Sequence, residues 1–164
     1  AKVVNTSVTC GTFYYDLVSR PDAGPKVRMM ATPRTGQVLR GTAQPFLREC
    51  CEGALQAAGV RLCDVDHVVV NTPTAWFADF AARALGVDRE RVSDTHGLYA
   101  NIGPVLTPVN LHHSAHAGRI KPGDLVLMYA IGSVSSAGAV VMRWGDVALG
   151  PMPEPPTCGD ALSA

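Results

Sequence analysis

The sequence predicts an α/β layered domain, and three observations carry that prediction. Val68-Val69-Val70 and Leu125 to Ala130 are short apolar runs of the kind that forms buried strands. The segments between them repeat apolar residues at helical spacing. Glycines stand where those helices should stop, at Gly59 and Gly86. Strands that feed helices in this way build layered folds whose loops gather at the strands' carboxyl ends.

Composition narrows the function classes. The 164 residues are 47% apolar and only 17% charged. An average domain is about a quarter charged, so part of this surface is expected to be covered by something else. The length suffices for one domain with a real core. Formal net charge is zero, which argues against a nucleic-acid binder with a basic face. No apolar run approaches a membrane helix and no signal-peptide pattern opens the chain. The chain starts on alanine, as a trimmed methionine or a longer parent would leave it. Five cysteines, Cys10, Cys50, Cys51, Cys63 and Cys158, show no zinc-type spacing. They read as free thiols in a reducing cytosol, with Cys50 and Cys51 as small packing residues. The expected location is cytoplasmic.

In chain order, Val3 to Leu17 is rich in Val, Thr, Tyr and Phe and reads as one long strand or a hairpin turning near Gly11. Ser19 to Thr42 holds prolines and glycines. We expect residues 18–42 to form a long surface loop, with strand character only at Val27-Arg28-Met29-Met30. Ala43 to Gly59 reads as the first helix, with Phe46, Leu47, Cys50, Ala54, Leu55 and Ala58 at helical spacing. Asp66-His67 leads into the strand Val68 to Val70, which ends at Asn71-Thr72-Pro73-Thr74. Pro73 suits a helix start. The second helix then carries Trp76, Phe77, Phe80, Ala81, Ala84 and Leu85 on one face, up to Gly86. A glycine-marked turn, Tyr99-Ala100-Asn101-Ile102-Gly103-Pro104, opens the next helix. Such a start aims backbone N–H groups and the asparagine amide at one spot. After it come Gly118-Arg119-Ile120-Lys121-Pro122-Gly123-Asp124, the strand Leu125 to Ala130, the loop Gly132 to Gly138, and the strand Ala139 to Trp144. The domain should span residues 1–150. The remainder, 151–164, opens on Pro151-Met152-Pro153-Glu154-Pro155-Pro156 and reads as a disordered tail.

Asn101, the helix behind it, Gly118 to Asp124, a buried strand, a Gly loop and a last strand ending Arg143-Trp144 resemble the C-terminal half of ketoacyl-ACP synthase III. The run Tyr99 to Pro104 looks most like the ketosynthase-III-like acyltransferases of natural-product pathways. The resemblance covers roughly Arg40 to Trp144 and includes the first strand. It implies the second half of a thiolase-type fold, a mixed sheet with helices on both faces. In that family a cysteine of the first half, at a helix N-terminus that favours thiolate, carries the acyl group. A histidine and an asparagine of the second half serve it, and backbone amides stabilise the oxyanion.

Carried onto this chain, Asn101 matches the family asparagine. The family histidine, thirty residues earlier, falls on Asn71. An amide is no general base near neutral pH, so condensation through decarboxylation of a malonyl thioester is in doubt. The Gly loop is reduced to Gly132-Ser133, where the backbone N–H of Ser133 keeps an oxyanion role open. Thr74, Trp76 and His96 are candidate tunnel residues, and His96 is also a candidate for the missing base. No cysteine matches the nucleophile. The resemblance therefore implies an N-terminal half chain carrying the active-site Cys, either cleaved from a common precursor or made separately. Pairs of such chains would dimerise. No permanently bound cofactor is expected; the substrate would be an acyl carrier protein or coenzyme A thioester.

The plainer readings stand beside these. Asn101 also suits a helix cap, Asn71 a turn, and Gly132-Ser133 a tight connection. His112 and His116, four apart on one helical face, resemble a ligand pair, but no third ligand is evident and no metal site is expected. His113 belongs to the same polar or interface face, and His67 reads as structural. The leading expectation is an acyltransferase acting on an alcohol or amine. A non-catalytic scaffold subunit of a condensing-enzyme heterodimer is the alternative, and a thioester hydrolase the weaker one.

Overall fold

The computed structural model describes residues 2–5, 13–20, 24–132 and 136–152, with side chains from residue 32 onward. A four-stranded mixed sheet runs in the order β1 (Lys2–Asn5), β6 (Ser136–Arg143), β5 (Leu125–Gly132), β4 (His67–Val70). β6 is antiparallel to both β1 and β5, whereas β4 and β5 are parallel. The parallel pair is the crossover unit, with α2 (Phe77–Leu85), α3 (His96–Tyr99) and α4 (Leu106–His116) between its strands.

Strand alternation divides β4 and β5 between two faces. Val68, Val70, Leu127 and Tyr129 pack with α1 (Pro33–Ala58) and α2. Val69 and Val126 turn the other way, toward Ala115 on α4, Ile120 and Met128. Helices therefore cover both faces. Among the described residues no helix is long and apolar enough to cross a membrane.

Gly118 to Asp124 is a brace for the sheet. Gly118 and Gly123 take positive φ, at 68° and 96°, which glycine adopts without penalty. The N–H of Gly123 donates to the Trp144 carbonyl and that of Trp144 to the Asp124 carbonyl, both at 2.8 Å. The Asp124 carboxylate accepts from the Lys121 N–H at 2.7 Å. These bonds lock the entry to β5 against the exit from β6.

Residues 18–42 are not a long loop. The chain forms a separate antiparallel hairpin, β2 (Phe13–Arg20) and β3 (Gly24–Ala31), and α1 begins at Pro33. The expected start at Ala43 is thus ten residues late. Pro33 occupies the first turn, where its missing N–H costs nothing. Gly36, Gly41 and Pro45 then lie inside the helix, against their intrinsic preference. The C-terminal part holds it in place, with Leu47, Cys50, Cys51 and Ala54 fully buried. Of residues 33–46 only Thr35 is buried, so no apolar period announces that part. Gly59 ends α1 in the left-handed region, φ 67°, and Gly86 ends α2 at 74°. α2 starts at Phe77, one turn later than Pro73 suggests. The first strand is also shorter than Val3 to Leu17: β1 and β2 belong to different sheets. The proline-rich tail beyond Met152 lies outside the described residues.

Candidate active site

β4 ends at Asn71 because its last inter-strand bond runs from the Asn71 N–H to the Tyr129 carbonyl of β5, at 3.0 Å. Asn71 is only 5% exposed. Its side-chain Nδ2 donates to the Gly103 carbonyl over a long 3.5 Å. Asn101 bonds to the same residue. Its Oδ1 accepts from the Gly103 N–H at 3.0 Å, a local asparagine turn. The two asparagines thirty residues apart in sequence therefore meet on one glycine, whose φ is 72°. Just before it Ala100 sits at φ 52°, ψ −145°, a region that costs a non-glycine residue on the order of 1–3 kcal/mol.

A cleft of roughly 490 Å³ opens at the carboxyl ends of β4 and β5. Asn71 lines it together with Pro104, Thr107 and Pro108 at the head of α4. Met128, Ala130, Ile131 and Gly132 form the wall from β5, and Ser136 to Gly138 the wall from β6. The walls are largely apolar, with the Asn71 amide among few polar groups, as small-molecule sites commonly are. Gly132 leaves room for the Ser136 hydroxyl. Its carbonyl accepts from the Ser136 hydroxyl at 2.6 Å, and an added Cβ would lie 2.5 Å from that oxygen. Ser133, the expected oxyanion donor, lies outside the described residues.

The expected tunnel residues do not line the cleft. Trp76 is 56% exposed and stacks edge-on against Phe80, ring centres 5.9 Å apart. The carbonyl of Thr74 accepts the first N–H of α2, from Phe77, at 3.0 Å. His96 begins α3, its N–H bound to the Asp94 carboxylate at 2.9 Å. Its ring Nδ1 lies 2.9 Å from the Thr72 carbonyl. A carbonyl only accepts, so Nδ1 is the donor in this bond.

Asn110 escaped the sequence reading. It sits on α4 in the stripe Leu106, Asn110, Ser114, all three buried. A polar residue inside a buried stripe must find partners, and that is the signal that could have singled it out. Its Nδ2 donates to the Val70 carbonyl at 2.7 Å and to the Thr72 hydroxyl at 3.1 Å. Its Oδ1 accepts from the Thr95 hydroxyl at 2.6 Å. Ser114 pairs with buried His67, Oγ to Nε2 at 3.0 Å. Burial, then Arg119 and Arg91, push the His67 pKa down to about 4 against a weaker pull from Asp124, so the ring is neutral.

Among the described residues no cysteine lines the cleft. Cys50 and Cys51 are in the core. The Cys51 thiol is pushed up to about 12, by burial first and then by Cys50 and Glu52, so it is no thiolate nucleophile. Cys63 is exposed on the 3₁₀ turn Leu62–Asp64. Cys10 and Cys158 are outside the described residues. Among the described residues no three His, Cys, Asp or Glu side chains gather as a metal site would need; the His112 and His116 rings meet at a tilt of 56° with centres 4.5 Å apart.

Residues 55–144, more than half of the chain, match the family described as 3-oxoacyl-[acyl-carrier-protein (ACP)] synthase III C terminal. The chain belongs to that family. Synthase III relatives include a β-ketoacyl-[acyl-carrier-protein] synthase III of Dinoroseobacter shibae, 38% identical over 98 residues, which are 60% of this chain and 30% of that protein. The corresponding protein of Chelativorans sp. is 33% identical over 99 residues, 60% of this chain and 31% of the relative. The crystal structure of the Thermus thermophilus synthase III superimposes with a TM-score of 0.74 at 26% identity, over 89% of this chain and 46% of that one. The thiolase-like fold is thus established, as the C-terminal domain of a synthase III. The sequence match spans about a third of the length of the curated relatives, and the structural match just under half of the solved one. The named synthases are acyl-condensing enzymes. The cleft and the Asn71–Gly103–Asn101 junction sit where the parallel strands of this domain end.

Proposed function

We propose that this chain is the second half of a ketosynthase-III-type acyltransferase of secondary metabolism, one that moves a thioester-bound acyl group to an alcohol or amine. The observation that carries this reading is the junction itself. Asn71, which lines the apolar cleft, and the exposed Asn101 both bond to Gly103, and both are amides. Amides orient a carbonyl and stabilise developing negative charge through N–H donors, but they remove no proton near neutral pH. Decarboxylation of a malonyl thioester needs no proton removed, so the missing base does not decide the matter. Acyl transfer is favoured because Asn71 stands in place of the histidine that, with the asparagine, polarises a malonyl thioester in the family.

In this reading the acyl group rests on a cysteine of an N-terminal half chain, and donors are acyl carrier protein or coenzyme A thioesters. The N–H groups of the Gly132-Ser133 loop complete the oxyanion site, and the full assembly is a dimer of such pairs. Because His96 does not line the cleft, the proton of the attacking hydroxyl or amine passes to the cysteine thiolate as it leaves the acyl group.

The test uses the chain together with its N-terminal half and a panel of acyl-coenzyme A thioesters, with alcohol or amine acceptors. Asn101→Ala should lower acyl transfer about 10²-fold, the loss typical of one oxyanion-type donor. Turnover equal to wild type would remove Asn101 from the site. Asn71→His should add decarboxylative condensation of malonyl thioesters at the expense of transfer. One observation favours a second reading, a scaffold subunit that shapes the tunnel: the base position holds an amide. Full transfer activity of the partner half alone would establish it. Release of free acid without acceptor would point to hydrolysis.

A further inference from the structure

We infer that Asn110 is a positioning residue that sets the Asn71 amide; this rests on the acyl-transfer reading just given. Asn71 has a weak grip of its own, since its only side-chain bond described is the 3.5 Å contact to Gly103. Its placement comes from the backbone on either side of it. The carbonyl of Val70 belongs to the peptide that carries the Asn71 N–H. That carbonyl accepts from Asn110 Nδ2 at 2.7 Å, while the N–H donates to Tyr129. One residue further, the Thr72 hydroxyl is bonded to the same Nδ2 at 3.1 Å. A single amide group thus spans Asn71 and fixes the residues on both sides of it.

The orientation of that amide is itself set. The Val70 carbonyl can only accept, so Nδ2 must face it, which leaves Oδ1 to accept from the Thr95 hydroxyl at 2.6 Å. Asn110 is fully buried, where such bonds are strong and an unmade one is costly. Thr95 immediately precedes α3, and Asn110 lies on α4 behind the Gly103 turn. The network therefore ties the strand end bearing Asn71 to the segments flanking Asn101. Since amides act on substrate only through geometry, a displacement on the order of 1 Å should cost about 10²-fold in rate.

The experiment is a double-mutant cycle in the complete assembly, using the acyl-coenzyme A that wild type transfers fastest. Asn110→Ala should lower kcat about 10- to 100-fold with KM changed less than about twofold. Thr95→Val should act in the same direction and Thr95→Ser should restore the rate. In an Asn71→Ala background both Asn110→Ala and Thr95→Val should add less than about a further twofold, because their effect runs through Asn71. Losses that multiply would overturn the inference, as would a wild-type kcat for Asn110→Ala. Should Asn110→Ala not fold, the Thr95 pair read against Asn71→Ala decides it. A wild-type rate for Asn71→Ala alone would instead bring down the acyl-transfer role of Asn71, and this inference with it. Loss in Asn71→Ala combined with multiplicative losses from Asn110 and Thr95 brings down only the inference.

Discussion

The two faces of the sheet are closed by different chemistry. Toward α1 and α2 the contacts are apolar: Val68, Val70, Leu127 and Tyr129 against Leu47, Cys50, Cys51, Ala54, Phe77 and Ala81. Toward α4 an apolar cluster of Val69, Val126, Ala115 and Ile120 is joined by polar pairs, Asn110 to Val70 and Thr72, and Ser114 to His67. The first face is sealed, whereas the second leaves a cleft beyond Met128. Apolar packing is non-directional and tolerates volume-conserving repacking. Hydrogen bonds fix atoms to within tenths of an ångström. The face that supports the site uses the directional kind where the reacting geometry would need it.

Truncation should expose that difference most strongly. Leu127→Ala on the sealed face should cost about 2–5 kcal/mol in urea unfolding, through lost burial and a cavity. Met128→Ala, on the neighbouring residue but at the half-buried cleft wall, should cost roughly 1 kcal/mol, since lost burial there is small and the site opens to solvent. Equal costs would break the contrast between the faces.

The polar face should show itself in pH. His67 has a folded pKa depressed from 6.5 to about 4. Above pH 6.5 the ring is neutral folded or unfolded and there is no penalty. As pH falls from 6.5 toward 4 the unfolded chain gains a proton that the folded one refuses, and stability drops by roughly 3 kcal/mol in all. Denaturant midpoints between pH 7 and 4 should show that slope, and His67→Gln should flatten it. A slope that survives the substitution would assign the sensitivity elsewhere.

The smallest expected effect lies at the turn. Ala100→Gly relieves the positive φ at the cost of a more flexible unfolded chain. It should raise the thermal midpoint by the equivalent of about 1 kcal/mol while leaving the Asn101–Gly103 bond intact. A lower midpoint would mean that the methyl group makes contacts worth more than the strain.

Much of the α/β frame was legible from local signals. Val68 to Val70 and Leu125 to Ala130 are strands because their runs are too short and too apolar for anything but a buried sheet, and Gly59 and Gly86 stop helices by left-handed caps. The start of α1 was not legible, because Gly36, Gly41 and Pro45 mimic a loop while tertiary packing of the later turns overrides them. The β2–β3 hairpin was hidden for a similar reason: glycine and proline sit at its second strand's start, Gly24-Pro25.

The sequence by itself determined the layered class, the family motifs, and the identity of the two amides at positions 71 and 101. Residue type decides those, whatever the chain does around it. Tertiary structure alone decided that both amides converge on Gly103, that Trp76, Thr74 and His96 stay off the cleft walls, and that Asn110 stands behind Asn71. These depend on contacts between segments tens of residues apart, and a periodic pattern records which face a residue takes, not which partner it meets there.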